Sequence, residues 1–475
     1  MGQLRLVEFL AGGKGHAAQM LLAADGPCTI VAGMHAHAGC SQVQRWGAAA
    51  LSSLVEHGGL EAADAVLDHG GLHAVLLAMR GHRTSAEVQS WGAAALCSMA
   101  GSGSEQAVAA LVGADGIEVL VDGMRSHPDT HMVQERGARA LGFVALDQAQ
   151  VVLQQGGIQA ILEGLRNFPQ NDKVQHGGLV ALWSILEHGG ESEVNAVVDN
   201  GGIELTLAAL QNLPDDVDVQ SWSLAVLRYV PLHCSQSAVM ILIDGLEAIV
   251  SAMCRHVKSI EVQEKALGAI RALAGWSEAA TEAVMAHALG AVIAAMQRHV
   301  GSYEVQVWSL GILCEVAEDE SGAAAVMNAG GAAACVSAMR AHLQKPDPGS
   351  VQNAPPNSVP DSCEGQSLNI QRQGQALFWA LGAGCGQSGL EAIVEEGGIE
   401  AMTNAVHAHP DCAELQEQVE LWRRLLSSGH FGAAGDPAVR EALERSEEDQ
   451  DTTTATTDSK DGSAPESEEF DEVLL

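Results

Sequence analysis

The chain has 475 residues, a formal net charge of −36, and 47 % hydrophobic but only 3 % aromatic residues. That charge repels nucleic acid and anionic lipid, so neither is expected as a partner, whereas basic or extended protein segments are. With so few aromatic residues, the core has to be built from Ala, Leu, Val, Ile and Met.

Met1 to Leu10 hold no long apolar stretch, so no signal peptide is expected. Leu6 stands where a myristoylation signal after Gly2 needs Ser or Thr. No apolar run reaches the roughly 18 residues of a membrane span. Gly12-Gly13-Lys14-Gly15 lacks the upstream Gly and the following Ser or Thr of a phosphate loop. The ten Cys form no CxxC pair and read as reduced, mostly buried thiols, which points to the cytoplasm or the nucleus.

From residue 43 onward a Val-Gln dipeptide recurs: Val43-Gln44, Val88-Gln89, Val133-Gln134, Val174-Gln175, Val219-Gln220, Val262-Gln263 and Val305-Gln306. Ile370-Gln371 and Leu415-Gln416 continue it. The steps are 45, 45, 41, 45, 43, 43, 65 and 45 residues. A glycine turn precedes each copy, and in seven of nine repeats its second residue lies 17 residues before the Val. A period in the low forties predicts a helical solenoid, which exposes a long surface for partners.

The unit from Ala62 to Ala100 predicts a short helix (Ala62 to Asp68), the Gly70-Gly71 turn, a second helix (Leu72 to Met79) and a longer third helix (Glu87 to Ala100). In the third helix, Val, Val+4, Val+8 and Val+11 share one face. Val+8 and Val+11 are apolar (Leu96 and Met99 in this unit) and predict the core. Val+4 is small in eight of the nine copies, as at Gly47, Gly92, Gly137 and Gly178. A helical Gly costs about 1 kcal/mol relative to Ala, so its recurrence predicts a close neighbour.

This short–short–long triplet with its Gly turn and Val-Gln opening resembles the armadillo repeat over roughly residues 4–430. The resemblance implies an all-α, right-handed armadillo-type solenoid of about nine three-helix repeats, with third helices lining a concave groove. It implies a protein-binding scaffold or adaptor, with no enzyme activity, no cofactor and a monomeric state. Some leucine-rich-repeat kinases carry armadillo segments of similar pattern, which would imply a regulatory subunit acting in trans. The peptide-gripping members, importin alpha and beta-catenin, often carry Asn at Val+10; here that position holds Ser53, Ser98, Phe143, Ser184, Tyr229, Ala272 and Glu315. The asparagine ladder is missing, which argues against the alternative of a nuclear-import carrier for basic cargo.

Four Trp occupy Val+3: Trp46, Trp91, Trp222 and Trp308. They are candidate platforms in the groove, since Trp and Arg dominate binding hot spots; the other reading packs each Trp on the preceding repeat. Arg139, Arg228, Arg271 and Arg424 are expected near the same surface. A His recurs at the end of the second helix (His37, His82, His127, His256, His299, His342, His409), where it can cap carbonyls at the negative end of the dipole. His35, His37 and Cys40, like His407, His409 and Cys412, have a metal-like spacing but fall in the repeat's turn, so no metal site is expected. No catalytic signature appears.

Two segments break the solenoid. An insertion at 344–366 carries five Pro and predicts an exposed loop. The tail, 431–475, is expected to be disordered. Residues 446–475 hold eleven acidic residues and one Lys, leaving −26 on the rest. Phe470 and Val473 resemble an autophagy-adaptor motif, Asp471, Leu474 and Leu475 an acidic dileucine signal, and Val473 with Leu475 a PDZ-type ligand.

Overall fold

The computed structural model describes residues 15–233, 236–343 and 361–428. It is all-α, with no strand among the described residues. The tail from 429 on, with Phe470, Val473, Leu474 and Leu475, lies outside the described residues, as do 344–360 of the insertion. A helix, Asp361–Glu395, begins directly after Pro360, so 361–366 are helical and not the loop expected there. The prolines all precede Asp361, and nothing after them bars helix formation.

The described residues form two compact units, one ending at Ile241 and one beginning at Leu242. In the first unit the repeat predicted from Ala62 is realised as the end of Ser41–Asp68, then Gly71–Gly81, then Ala86–Ala100. The long helix Ser41–Asp68 bends at Gly59 (φ 59°), which separates the third helix of one repeat from the first helix of the next. The Gly-Gly turn needs both glycines, for different reasons. Gly70 sits in the left-handed region at φ 73°, and a Cβ on Gly71 would come within 2.8 Å of the Val66 carbonyl oxygen. The third helix opens on a polar cap three residues before the Val: Ser85, Asn171, Asp216, Ser259 and Ser302 each accept the Val N–H.

The recurring Gln is a clamp. Gln89 is buried, and its Nε2 donates to the carbonyls of Met79 (2.8 Å) and His82 (3.1 Å) at the end of the second helix. Gln44, Gln134, Gln175, Gln220, Gln263, Gln306 and Gln371 repeat both bonds in their own units. Those carbonyls have no intrahelical donor, so the amide fills a need the helix end creates. Val+4 is small because the second helix's Met fills the notch: a Cβ on Gly92 would meet the Met79 sulfur at 2.5 Å. Val+8 and Val+11 form the core, with Leu96, Met99, Leu141, Val144, Leu182 and Ile185 fully buried.

The histidines do something other than cap their own helix. The His82 backbone N–H takes the Ala78 carbonyl, while its ring Nε2 donates to Ala38 of the preceding repeat at 2.8 Å. His127 donates to Arg83 (2.8 Å), His299 to Val257 (2.9 Å) and His342 to Val300 (3.0 Å). Each acceptor follows the previous repeat's His, so the ladder ties repeat to repeat. The helix-end carbonyls are already taken by the Gln, which leaves the ring to reach across.

Gln89→Ala leaves the buried Met79 carbonyl without a donor, while the His82 carbonyl keeps the Ser85 N–H, and should cost about 1–3 kcal/mol. Gln89→Glu should cost more at neutral pH, because a carboxylate turns lone pairs toward the same carbonyls. Denaturant unfolding followed by circular dichroism ranks the two. By the same measurement Gly70→Ala should cost about 1 kcal/mol, and Gly71→Ala distinctly more, because its Cβ meets backbone.

Candidate partner-binding groove

Three successive third helices of the first unit enclose a groove of about 660 Å³. The first contributes Ser52, Ser53 and Glu56, the second Trp91, Ala94, Cys97 and Ser98, and the third Glu135, Arg136, Arg139 and Phe143. In repeat register these are Val+2, +3, +6, +9, +10 and +13, the face opposite the Val+8 and Val+11 core. Close helix approach builds the adjoining wall: a Cβ on Gly142 would lie 2.9 Å from the Ala181 Cα.

The groove is amphipathic. Leu60 at its edge is 51 % exposed, and Trp91 and Phe143 are half-buried. The Arg136 guanidinium lies 4.2 Å from the Trp91 ring centroid and donates to the Ser90 hydroxyl at 2.9 Å. Stacking of this kind contributes about 0.5–2 kcal/mol and holds both side chains in place. Glu56 and Glu135 balance the two arginines. The Val+10 serine is spent internally: Ser98 donates to the Ala94 carbonyl, and its oxygen lies 3.0 Å from the Ser52 hydroxyl. Burial pushes the Cys97 thiol up to about 11, so it stays protonated at neutral pH.

Of the residues singled out by sequence, Trp91 and Arg139 meet in this groove. Trp46 is half-buried one repeat earlier, with Arg45 stacked at 4.3 Å and paired to Glu87. Trp222 is not an exposed platform. It is 7 % exposed, because Trp183 (5.2 Å between centroids) and His176 (6.4 Å) of the preceding third helix cover it. Arg228 is half-buried. In the second unit Trp308 is half-buried and Arg271 is engaged by Glu315 at 2.8 Å. Glu56 and Cys97 escaped the sequence reading, and Arg136 and Phe143 were not read from it as groove residues, although their Val-relative positions place all four in the lining with Trp91. Among the described residues no single helix is long and apolar enough to cross a membrane.

A family model described as the LRRK2 ARM repeat matches residues 146–267. The structure is similar to the crystal structure of an engineered protein at 24 % identity, covering 89 % of this chain and 93 % of that one, with a TM-score of 0.68. A designed armadillo repeat protein is 18 % identical over 52 % of this chain and 99 % of its own, at a TM-score of 0.44. Another, in complex with the peptide (KR)4, is 16 % identical over 56 % and 99 %, at 0.43. No curated protein matches the chain significantly. Residues 146–267 therefore carry armadillo-type repeats, and the described residues have the all-α fold of an armadillo-type solenoid.

Burial, followed by the nearby Arg139, holds His176 below the ordinary histidine value. Burial does the same to His342. The unfolded chain takes up these protons near pH 6.5, while the folded chain resists them. The stability present at neutral pH is therefore lost as pH falls through about 6.5. Thermal melts between about pH 7.5 and 5.5 should show a smaller loss in His176→Asn than in the wild type.

Proposed function

We propose that this protein is a binding scaffold that holds a segment of another protein in the groove of its first three repeats and carries no chemistry of its own. The observation that carries this reading is the contiguous apolar patch of Leu60, Trp91 and Phe143, rimmed by both signs of charge. A groove of about 660 Å³ suits a few side chains of an extended segment, with an apolar residue seated between Trp91 and Phe143. Arg136 and Arg139 in its lining weigh against a carrier for basic cargo. The thiol chemistry supports a non-catalytic role: burial lifts Cys97 to about 11 and Cys314 to about 12, which suppresses the thiolate. The cysteine spacing, with no CxxC pair, is compatible with a reducing cytoplasmic or nuclear setting, which is part of this reading.

Affinity purification tests this with Trp91→Ala/Phe143→Ala against Leu77→Ala, a control at an exposed second-helix residue. Partners should fall by at least about tenfold with the groove variant and persist with the control. Partners that persist with a folded groove variant would remove the groove from the function.

A further inference from the structure

We propose that Asp25, Cys28 and His69 form a zinc site that staples the first repeat to the second. Asp25 precedes the second helix of the first repeat, Cys28 lies in that helix's first turn, and His69 ends the first helix of the next repeat. One oxygen, one sulfur and one nitrogen of these side chains lie within 4.8 Å of one another.

The contacts around His69 suit a cation. Its Nδ1 lies 2.7 Å from the Ala65 carbonyl oxygen, which can only accept, so Nδ1 carries the proton. In the neutral ring the Nε2 lone pair then faces Asp25 Oδ1 at 3.1 Å, and a carboxylate oxygen is also an acceptor. A cation held between these two atoms satisfies both acceptors. A proton would suffice for the pair alone, but it leaves the converging thiol without a role. A metal ion uses all three donors.

The arrangement suits zinc in particular. A second ring nitrogen fixed by a backbone carbonyl is the usual support for a metal-binding imidazole. Donors around a tetrahedral zinc sit roughly 3–4 Å apart, which the His69–Asp25 pair already satisfies, and the exposed Cys28 side chain can rotate to close the rest. One thiolate and one carboxylate neutralise the dication, and water takes the fourth position. Binding forms a zinc–sulfur bond as the Cys28 S–H proton leaves to solvent, so affinity rises with pH. Asp25 holds a left-handed conformation (φ 57°) that Asp115 shares at the equivalent turn, where Gly70, Gly156, Gly201, Gly330 and Gly397 stand in other repeats.

The test uses the full chain, stripped with chelator and kept reduced, titrated with Zn²⁺ by calorimetry and with Co²⁺ by absorption. The expected result is one zinc per chain, a thiolate-to-cobalt band, and a melting temperature raised by zinc. Cys28→Ser and His69→Gln should each weaken binding by at least about tenfold and abolish the thermal shift. Asp25→Gly should do likewise while restoring the residue used at the equivalent turns, so folding is preserved. Cys40→Ser and Cys254→Ser should change nothing. Absence of stoichiometric binding in the wild type, or binding that survives Cys28→Ser and Asp25→Gly, overturns the site.

Discussion

A buried glutamine amide fixes the angle between the second and third helices, and most of the repeat's other preferences follow from it. The end of a helix exposes carbonyls with no intrahelical donor, and leaving them buried and unmet costs about 1–3 kcal/mol each. One Nε2 group meets two of them in eight repeats. The amide can reach only if the third helix passes close to the end of the second. That proximity forces a small residue at Val+4, and the Met beside the clamped carbonyl fills the space left. The dependence shows at the ninth repeat, where Gln416 is exposed and donates to Pro410 instead.

With the helix-end carbonyls engaged, the histidine ring is free to reach the preceding repeat. The same junction thus sets geometry within a repeat through Gln and spacing between repeats through His. The Gln oxygen also bears on the spacing, since a Cβ on Gly123, in the next repeat's second helix, would come within 2.8 Å of Gln89 Oε1. These polar contacts are directional, whereas the Ala, Leu and Val core supplies burial without much register. An array with so few aromatics gains its precision from amides and imidazoles.

Much of this was legible in the sequence, because a repeat averages out local ambiguity. The Val-Gln spacing, the glycine turn and the apolar Val+8 and Val+11 positions are locked together, and the helices fall within a few residues of where the pattern places them. The small Val+4 residue was readable as a close approach, but not that a methionine side chain makes it. The histidines were readable as belonging to a helix end, but not that their rings leave it. The four tryptophans show the limit most clearly, since one register gives them different fates. Trp222 is covered because Val+9 of the preceding repeat is Trp183; before Trp91 that position is Ser52, too small to cover an indole. The signal lay one repeat upstream and had to be read across the interface. Asp25, Cys28 and His69 come from two turns whose proximity only the folded backbone supplies.

The chemistry of the groove constrains how a partner can be held. An asparagine at Val+10 offers a free amide to a bound backbone, and such a ladder grips a strand whatever its side chains. Here Ser98 has turned its hydroxyl to Ala94 and Ser52, Phe143 offers no polar atom, and Arg136 is stacked on Trp91 and bonded to Ser90. The asparagine means of backbone capture is missing in these repeats. What remains exposed is apolar surface between opposing charges, and apolar surface discriminates by side-chain shape. A partner held there as proposed would be selected by one or two anchoring side chains, and its affinity should depend weakly on salt, because the charges lining the groove include both signs. That separates it physically from a groove that reads basic stretches by charge, despite the acidity of the chain as a whole.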